Sequence, residues 1–136
     1  MNFKKVMLID DNDIDNYLNK KIMEKAEFAE EFLVHTDAKT ALKFLAENEK
    51  NVMDLPEVIF LDINMPVTSG WDFLGEFVKL PHTIIGMCPV VMLTSSIDPI
   101  DYERSKSFSC VYDYMKKPLN REELNMITLE NIFAKK

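Results

Sequence analysis

The chain has 136 residues, enough for one domain (1–136) with a complete hydrophobic core. Its 23 acids outnumber 16 bases, and the net charge of -7 argues against a nucleic-acid surface and against adsorption to anionic membrane. No apolar run approaches the ~18 residues of a transmembrane helix, and the N-terminus lacks a signal's hydrophobic region. Cys88 and Cys110 stand far apart in the sequence, which predicts reduced thiols serving as small apolar side chains in a cytoplasmic setting.

Lys4 to Ile9 reads as a first strand ending in Asp10-Asp11. Ile14, Leu18 and Ile22, with Met23 and Ala26 beside them, are spaced as the inner face of a helix that Asp11, Asn12 or Asp13 caps. Phe28 starts a turn into a second strand, Glu31 to His35. Thr36 or Asp37 then caps a helix with Ala38, Ala41, Leu42 and Leu45 inward, ending in the polar run 47–51. Pro56 leads into strand three, Glu57 to Asp62, whose Val58-Ile59-Phe60-Leu61 run lacks polar alternation. Such a run belongs to a buried central strand of a parallel sheet. After Asn64, Pro66 and Gly70 turn the chain into a helix with Trp71, Leu74, Phe77 and Val78 inward. Lys79 to Met87, carrying Pro81 and Gly86, reads as a long loop.

Strand four is Pro89 to Leu93, ending in Thr94-Ser95-Ser96. A helix with a thin apolar face follows from Asp98 to about Phe108, with Pro99 in its first turn. Strand five, Val111 to Met115, ends in Lys116-Lys117-Pro118. Asn120 and Glu123 have capping-box spacing for a last helix to Ala134. Five strand–helix units in strict alternation predict an α/β fold, a doubly wound parallel sheet covered on both faces.

Chemistry in such sheets sits at the C-terminal strand ends. Strands one, three, four and five end in Asp10-Asp11, Asp62, Thr94-Ser95 and Lys117. Singly, Asp10 or Asp11 would serve as a helix cap, Thr94 as a turn hydroxyl and Lys117 as a solvated lysine. Together at one sheet edge they point to a shared site. Three carboxylates repel one another unless a cation joins them, and an all-oxygen set suits Mg²⁺. The two histidines, His35 and His82, are not placed near these ends, so softer metals are poorly served. A hydroxyl and an ammonium beside such a cluster fit a phosphoryl group, with the metal, Lys117 and Thr94 each meeting an equatorial oxygen. The carboxylate is then the nucleophile.

With these residues in view, the chain resembles a response-regulator receiver domain of two-component signalling over essentially its whole length. It is similar to the single-domain chemotaxis regulators. The resemblance rests on MLIDDN with Asp10 and Asp11, DINMPVTSG with Asp62, MLTSS with Thr94, and YMKKP with Tyr114, Lys117 and Pro118. It implies a flavodoxin-like (βα)5 sheet of order 2-1-3-4-5. It also implies Asp62 as phosphoacceptor, Asp11, Asp62 and the Asn64 carbonyl as direct Mg²⁺ ligands, and Asp10 holding metal-bound water. Lys117 matches the lysine that meets the phosphoryl group, in a bond to Pro118 that is commonly cis. Thr94 matches the switch hydroxyl and Tyr114 the switch aromatic. Cys110 stands where the family usually has glycine, and the 79–87 connection is extended.

The implied activity is a switch that accepts a phosphoryl group from a histidine kinase or histidine phosphotransfer protein and loses it as phosphate. It catalyses its own transfer without being an enzyme in the usual sense. Phosphorylation is expected to draw Thr94 inward and let the Tyr114 ring follow, changing the face made by the fourth helix, fifth strand and fifth helix. Leu124, Met126, Ile127, Leu129, Ile132 and Phe133 spread beyond one inward stripe and give that face apolar contacts for a partner. With no output domain expected after Lys136, output is by protein contact; an intermediate carrier in a phosphorelay is the alternative. An Mg²⁺-dependent phosphohydrolase needs a second acid, commonly two residues after the nucleophile, where this chain has Asn64. Small side chains at Asn64, Ser95 and Ser96 leave water some access to Asp62, and Trp71 is expected close to it.

Overall fold

The apolar run 58–62 forms the central strand of a five-stranded parallel sheet in the computed structural model, which describes residues 3–65, 67–95 and 97–134. The strands are β1 (Phe3–Ile9), β2 (Ala29–His35), β3 (Val58–Asp62), β4 (Val90–Thr94) and β5 (Val111–Lys116), in the order β2-β1-β3-β4-β5. All pairings are parallel. The helices are α1 (Asp13–Lys25), α2 (Ala38–Glu47), α3 (Gly70–Phe77), α4 (His82–Met87), α5 (Pro99–Lys106), α6 (Arg121–Asn125) and α7 (Leu129–Ala134), with a 3₁₀ turn at Val52–Asp54. The expected order 2-1-3-4-5 is the one observed. Pro66 and Ser96, to which the sequence assigned a turn and water access, lie outside the described residues.

Alternate side chains along each strand point to opposite faces and build two cores. Met7, Ile9, Ile59 and Leu61 meet Ala41 and Leu45 of α2, Leu74 and Phe77 of α3 and Ile84 of α4. Val6, Leu8, Val58 and Phe60 meet Met23 of α1, Leu124 of α6 and Ile132 of α7. Both cysteines are free and buried, and burial pushes the Cys88 thiol up to about 12.

Four expectations are corrected. The inner face of α1 is Asn16, Asn19 and Met23; Ile14 is 69% exposed and Leu18 49%. The Asn16 amide donates to the Asp10 carbonyl at 2.8 Å, a buried bond that turns this polar residue inward. Second, the 79–87 segment is not all loop: Pro81 precedes α4, where a helix start tolerates proline, and Ile84 anchors the turn in the core. Third, Phe73 rather than Val78 or Trp71 joins Leu74 and Phe77 on the buried face of α3. Trp71, half-buried, stacks on Phe108 at 6.2 Å, and Arg104 of α5 lies 4.4 Å over its ring. Fourth, the last helix is broken. The Thr128 hydroxyl accepts from the Asn131 N–H at 3.1 Å, and the Asn131 amide donates to the Met126 carbonyl at 2.7 Å, so α7 starts afresh.

The expected caps hold, with the choices resolved. Asn12 caps α1, accepting from Ile14 and Asp15, and Asp37 caps α2. Asn120 caps α6 by accepting from the Glu123 N–H at 2.8 Å, while the Glu123 carboxylate meets the Asn120 side-chain amide. Cys110, in the family's glycine position, has no left-handed backbone; among described non-glycine residues only Glu27 and Val67 do.

Candidate functional site

Register alone brings the strand-end residues together. Ile9 pairs with Leu61, so Asp10 and Asp62 leave β1 and β3 side by side. Asp62 pairs with Leu93, placing Thr94 one step beyond it, and Thr94 pairs with Lys116. The Lys117 N–H donates to the Thr94 carbonyl at 2.7 Å, and the Lys117–Pro118 bond is cis. On the far side of Asp62, α3 comes close. A Cβ on Gly70 would lie 2.8 Å from the Asp62 carbonyl oxygen, so only glycine lets this helix start against the strand end. Ser69 and Asp72 close a reciprocal capping box that fixes that start.

Three of the expected acids converge: carboxylate oxygens of Asp10, Asp11 and Asp62 lie within 4.8 Å of one another. Asp10 and Asp62 are buried and Asp11 is exposed, giving the cluster one solvent-facing side. Lys117 Nζ lies 3.1 Å from Asp10 Oδ2 and 3.4 Å from Asp62 Oδ1. Burial, and then the Asp10 charge, raise the Asp62 pKa to about 6, against the opposing pull of Lys117 and of the Asn64 backbone N–H. Burial also raises Asp10, although the Asn12 N–H and Lys117 oppose it. Burial by itself would lower Lys117, but its hydrogen bonds to Asp15 and Asp10 outweigh that and raise it.

Thr94 is buried beside the cluster, and the Asn64 and Ser95 side chains are exposed. Tyr114 does not wait outside for the threonine to move. Its ring is already inward, 7% exposed, with Tyr102 edge-on at 5.7 Å. Burial raises the phenol, Asp101 adds to that, and the nearby Asp98 backbone and Thr94 side chain oppose it. The Tyr114 hydroxyl meets no partner in ordinary hydrogen-bond geometry among the described residues. Trp71, expected close to Asp62, turns its ring to Phe108 and to Arg104 of α5.

One residue escaped the sequence reading. Asp15, on the first turn of α1, accepts from Lys117 Nζ at 2.9 Å, the shortest ion pair that lysine makes. An acid in a first helical turn reads as an ordinary partner of the helix dipole, and its lysine lies 102 residues away.

The donor set fits a hard divalent cation. It consists of oxygens only, and their spread is near the ~4 Å across an ion held at ~2.1 Å. A groove of about 720 Å³ lies elsewhere: it runs along β5 and is lined by Tyr102, Phe108, Cys110, Tyr112, Tyr114 and Ile132.

A family model described as the response regulator receiver domain matches residues 6–128. A two-component response regulator from Cytophaga hutchinsonii is 31% identical, with a TM-score of 0.85 over 99% of this chain and 97% of that one. The probable methanogenesis regulatory protein FilR2 of Methanothrix harundinacea is 30% identical over 127 residues, 93% of this chain and 79% of that protein. Response regulator Rcp1 of Synechocystis, whose structure was solved in a Mn²⁺-bound form, is 28% identical. That structure matches with a TM-score of 0.68 over 89% of this chain and 86% of that one. The chain belongs to the response regulator receiver domain family, whose members are phosphorylation-dependent signalling switches. Among the described residues, no helix is long and apolar enough to cross a membrane.

Proposed function

We propose that residues 1–136 act as one receiver unit in which Asp62 accepts a phosphoryl group from a phosphohistidine on a histidine kinase or phosphotransfer protein. An Asp62 carboxylate oxygen bonds to phosphorus as the N–P bond breaks, and the electron pair leaves with the imidazole. Asp10, Asp11, Asp62 and the Asn64 carbonyl would hold Mg²⁺, which supplies charge neutralisation for the incoming phosphoryl oxygens. The Mn²⁺-bound state of Rcp1 supports this choice of ion class. Lys117 neutralises a second oxygen, and Thr94 donates its hydroxyl to a third. The observation that carries the reading is the convergence of the three carboxylates within 4.8 Å, with the Lys117 ammonium 3.4 Å from Asp62.

Output runs through the face of α5, β5 and the α6–α7 pair, the counterpart of the expected fourth helix, fifth strand and fifth helix. The Thr94 side chain acts on the Tyr114 phenol, so committing its hydroxyl to the phosphoryl group changes the surroundings of that buried ring and carries the signal to this face. Ile100, Met126 and the β5 groove give a protein partner apolar contacts there. The test is mass spectrometry after incubation with acetyl phosphate and Mg²⁺. The protein should gain one phosphoryl group and Asp62→Ala none. Equal gain by both, or no gain by either from acetyl phosphate and a phosphohistidine donor alike, would refute it.

A further inference from the structure

Lys117 and a divalent cation draw on the same carboxylates. Its ammonium is paired with Asp10 and Asp62, which are two of the three converging carboxylates. A cation on these carboxylates repels the ammonium and weakens their hold on it, and a loosened ammonium in a half-buried site needs another acceptor. Asp15 is that acceptor, already at 2.9 Å and outside the converging set. Its place is built by the chain around it. The Asp15 N–H donates to the Asn12 cap at 3.1 Å, and the next residue, Asn16, is tied to the Asp10 carbonyl at 2.8 Å. The first turn of α1 is thus fixed to the strand that carries Asp10. Three N–H donors on one ammonium match three acceptors, Asp10, Asp15 and Asp62.

We propose that Asp15 is a positioning residue that retains Lys117 when a divalent cation takes Asp10 and Asp62, so that the metal and the ammonium occupy the site together. This rests on the reading of Asp10, Asp11 and Asp62 as metal ligands. Without the Asp15 carboxylate, the described residues offer Lys117 only Asp10 and Asp62, and it competes with the metal for those two carboxylates. A negative charge at Asp15 also attracts cations at longer range, but that attraction does not depend on Lys117. The hand-over does.

A double-mutant cycle separates the two effects, with Mg²⁺ affinity measured by titration calorimetry on the full chain. Asp15→Asn should weaken Mg²⁺ binding about tenfold, the scale of losing a partner just outside the ligand shell, and by less than about twofold in a Lys117→Met background. Asp15→Ser should behave like Asp15→Asn, and Asp15→Glu should recover most of the affinity; thermal unfolding without metal establishes that each variant folds. Equal weakening with and without Lys117 would reduce Asp15 to a distant charge and overturn the proposal. No weakening in either background would do the same. A wild-type protein that binds no Mg²⁺ would overturn the metal site itself, and that result needs no variant to recognise.

Discussion

Asp62 is 4% exposed and stands beside Asp10, so its carboxyl holds a proton up to about pH 6 in the metal-free protein rather than the ordinary 3.8. The folded state therefore binds that proton more tightly than the unfolded chain does. Its contribution to stability is full below about pH 4 and is lost as pH rises through about 6. The total loss is about 3 kcal/mol, at ~1.4 kcal/mol for each pKa unit. Lys117, whose pKa is raised, stays charged throughout this window, so the pH dependence belongs to the acids. Asp62→Asn removes the buried charge. Urea unfolding without divalent ions should find it about 1–3 kcal/mol more stable than the wild type at pH 7.5, and nearly equal at pH 4. A gain of the same size at both pH values would assign the effect to packing. Asp10, Asp11, Asp62 and Thr94 were legible in the sequence because each lies at the end of an apolar run that reads as a buried strand, and Lys117 because it follows the aromatic run 111–115 and precedes Pro118. Asp15 was not, because nothing local marks a helical acid as the partner of a lysine on another element.

The elements show where pattern reading succeeds and where it fails. The β3 and β4 strands are buried on both faces, so every position before the terminal Asp62 and Thr94 is apolar and no phase has to be chosen. In α1 the phase did have to be chosen, and the aliphatic stripe at Ile14 and Leu18 pointed to the wrong side. The inward stripe carries Asn16 and Asn19, residues that a hydrophobicity count assigns to solvent. The short α4 and the break between α6 and α7 were missed because single side chains decide them: Ile84 inserted in the core, and Thr128 capping a new turn. The end of α1 carries a prediction of its own. Glu27 sits at φ 52, and the Phe28 N–H closes back on the Met23 carbonyl at 2.9 Å, the bond pattern of a left-handed helix end. Glycine adopts that backbone without a Cβ penalty. Glu27→Gly should therefore stabilise the protein by about 1 kcal/mol in denaturant unfolding, and a loss of stability would mean that the Glu27 side chain makes an interaction outweighing the strain.

Over the whole molecule, the parallel order β2-β1-β3-β4-β5 lets four separate strand ends contribute to one edge, and the two cores hold those ends in register. The acidic edge and the β5 groove are different places, linked through Thr94, Tyr114 and the Tyr102 ring that Tyr114 meets edge-on. A ligand that binds only the folded site must stabilise the entire fold. Mg²⁺ at about a hundred times its dissociation constant should add about 2.7 kcal/mol to the unfolding free energy. Asp11→Ala, which replaces an exposed side chain, should fold as well as the wild type and lose most of that gain. Full retention would place the ion elsewhere. The central claim is that the β3-end aspartate takes the phosphoryl group, and locating that group tests it most directly. After transfer from a phosphohistidine donor, the acyl phosphate is trapped by borohydride reduction and the modified peptide is sequenced by mass spectrometry. The account predicts modification at Asp62 alone, abolished by a chelator; modification at Asp10, Asp11 or any other residue, or transfer that persists without divalent metal, would contradict it.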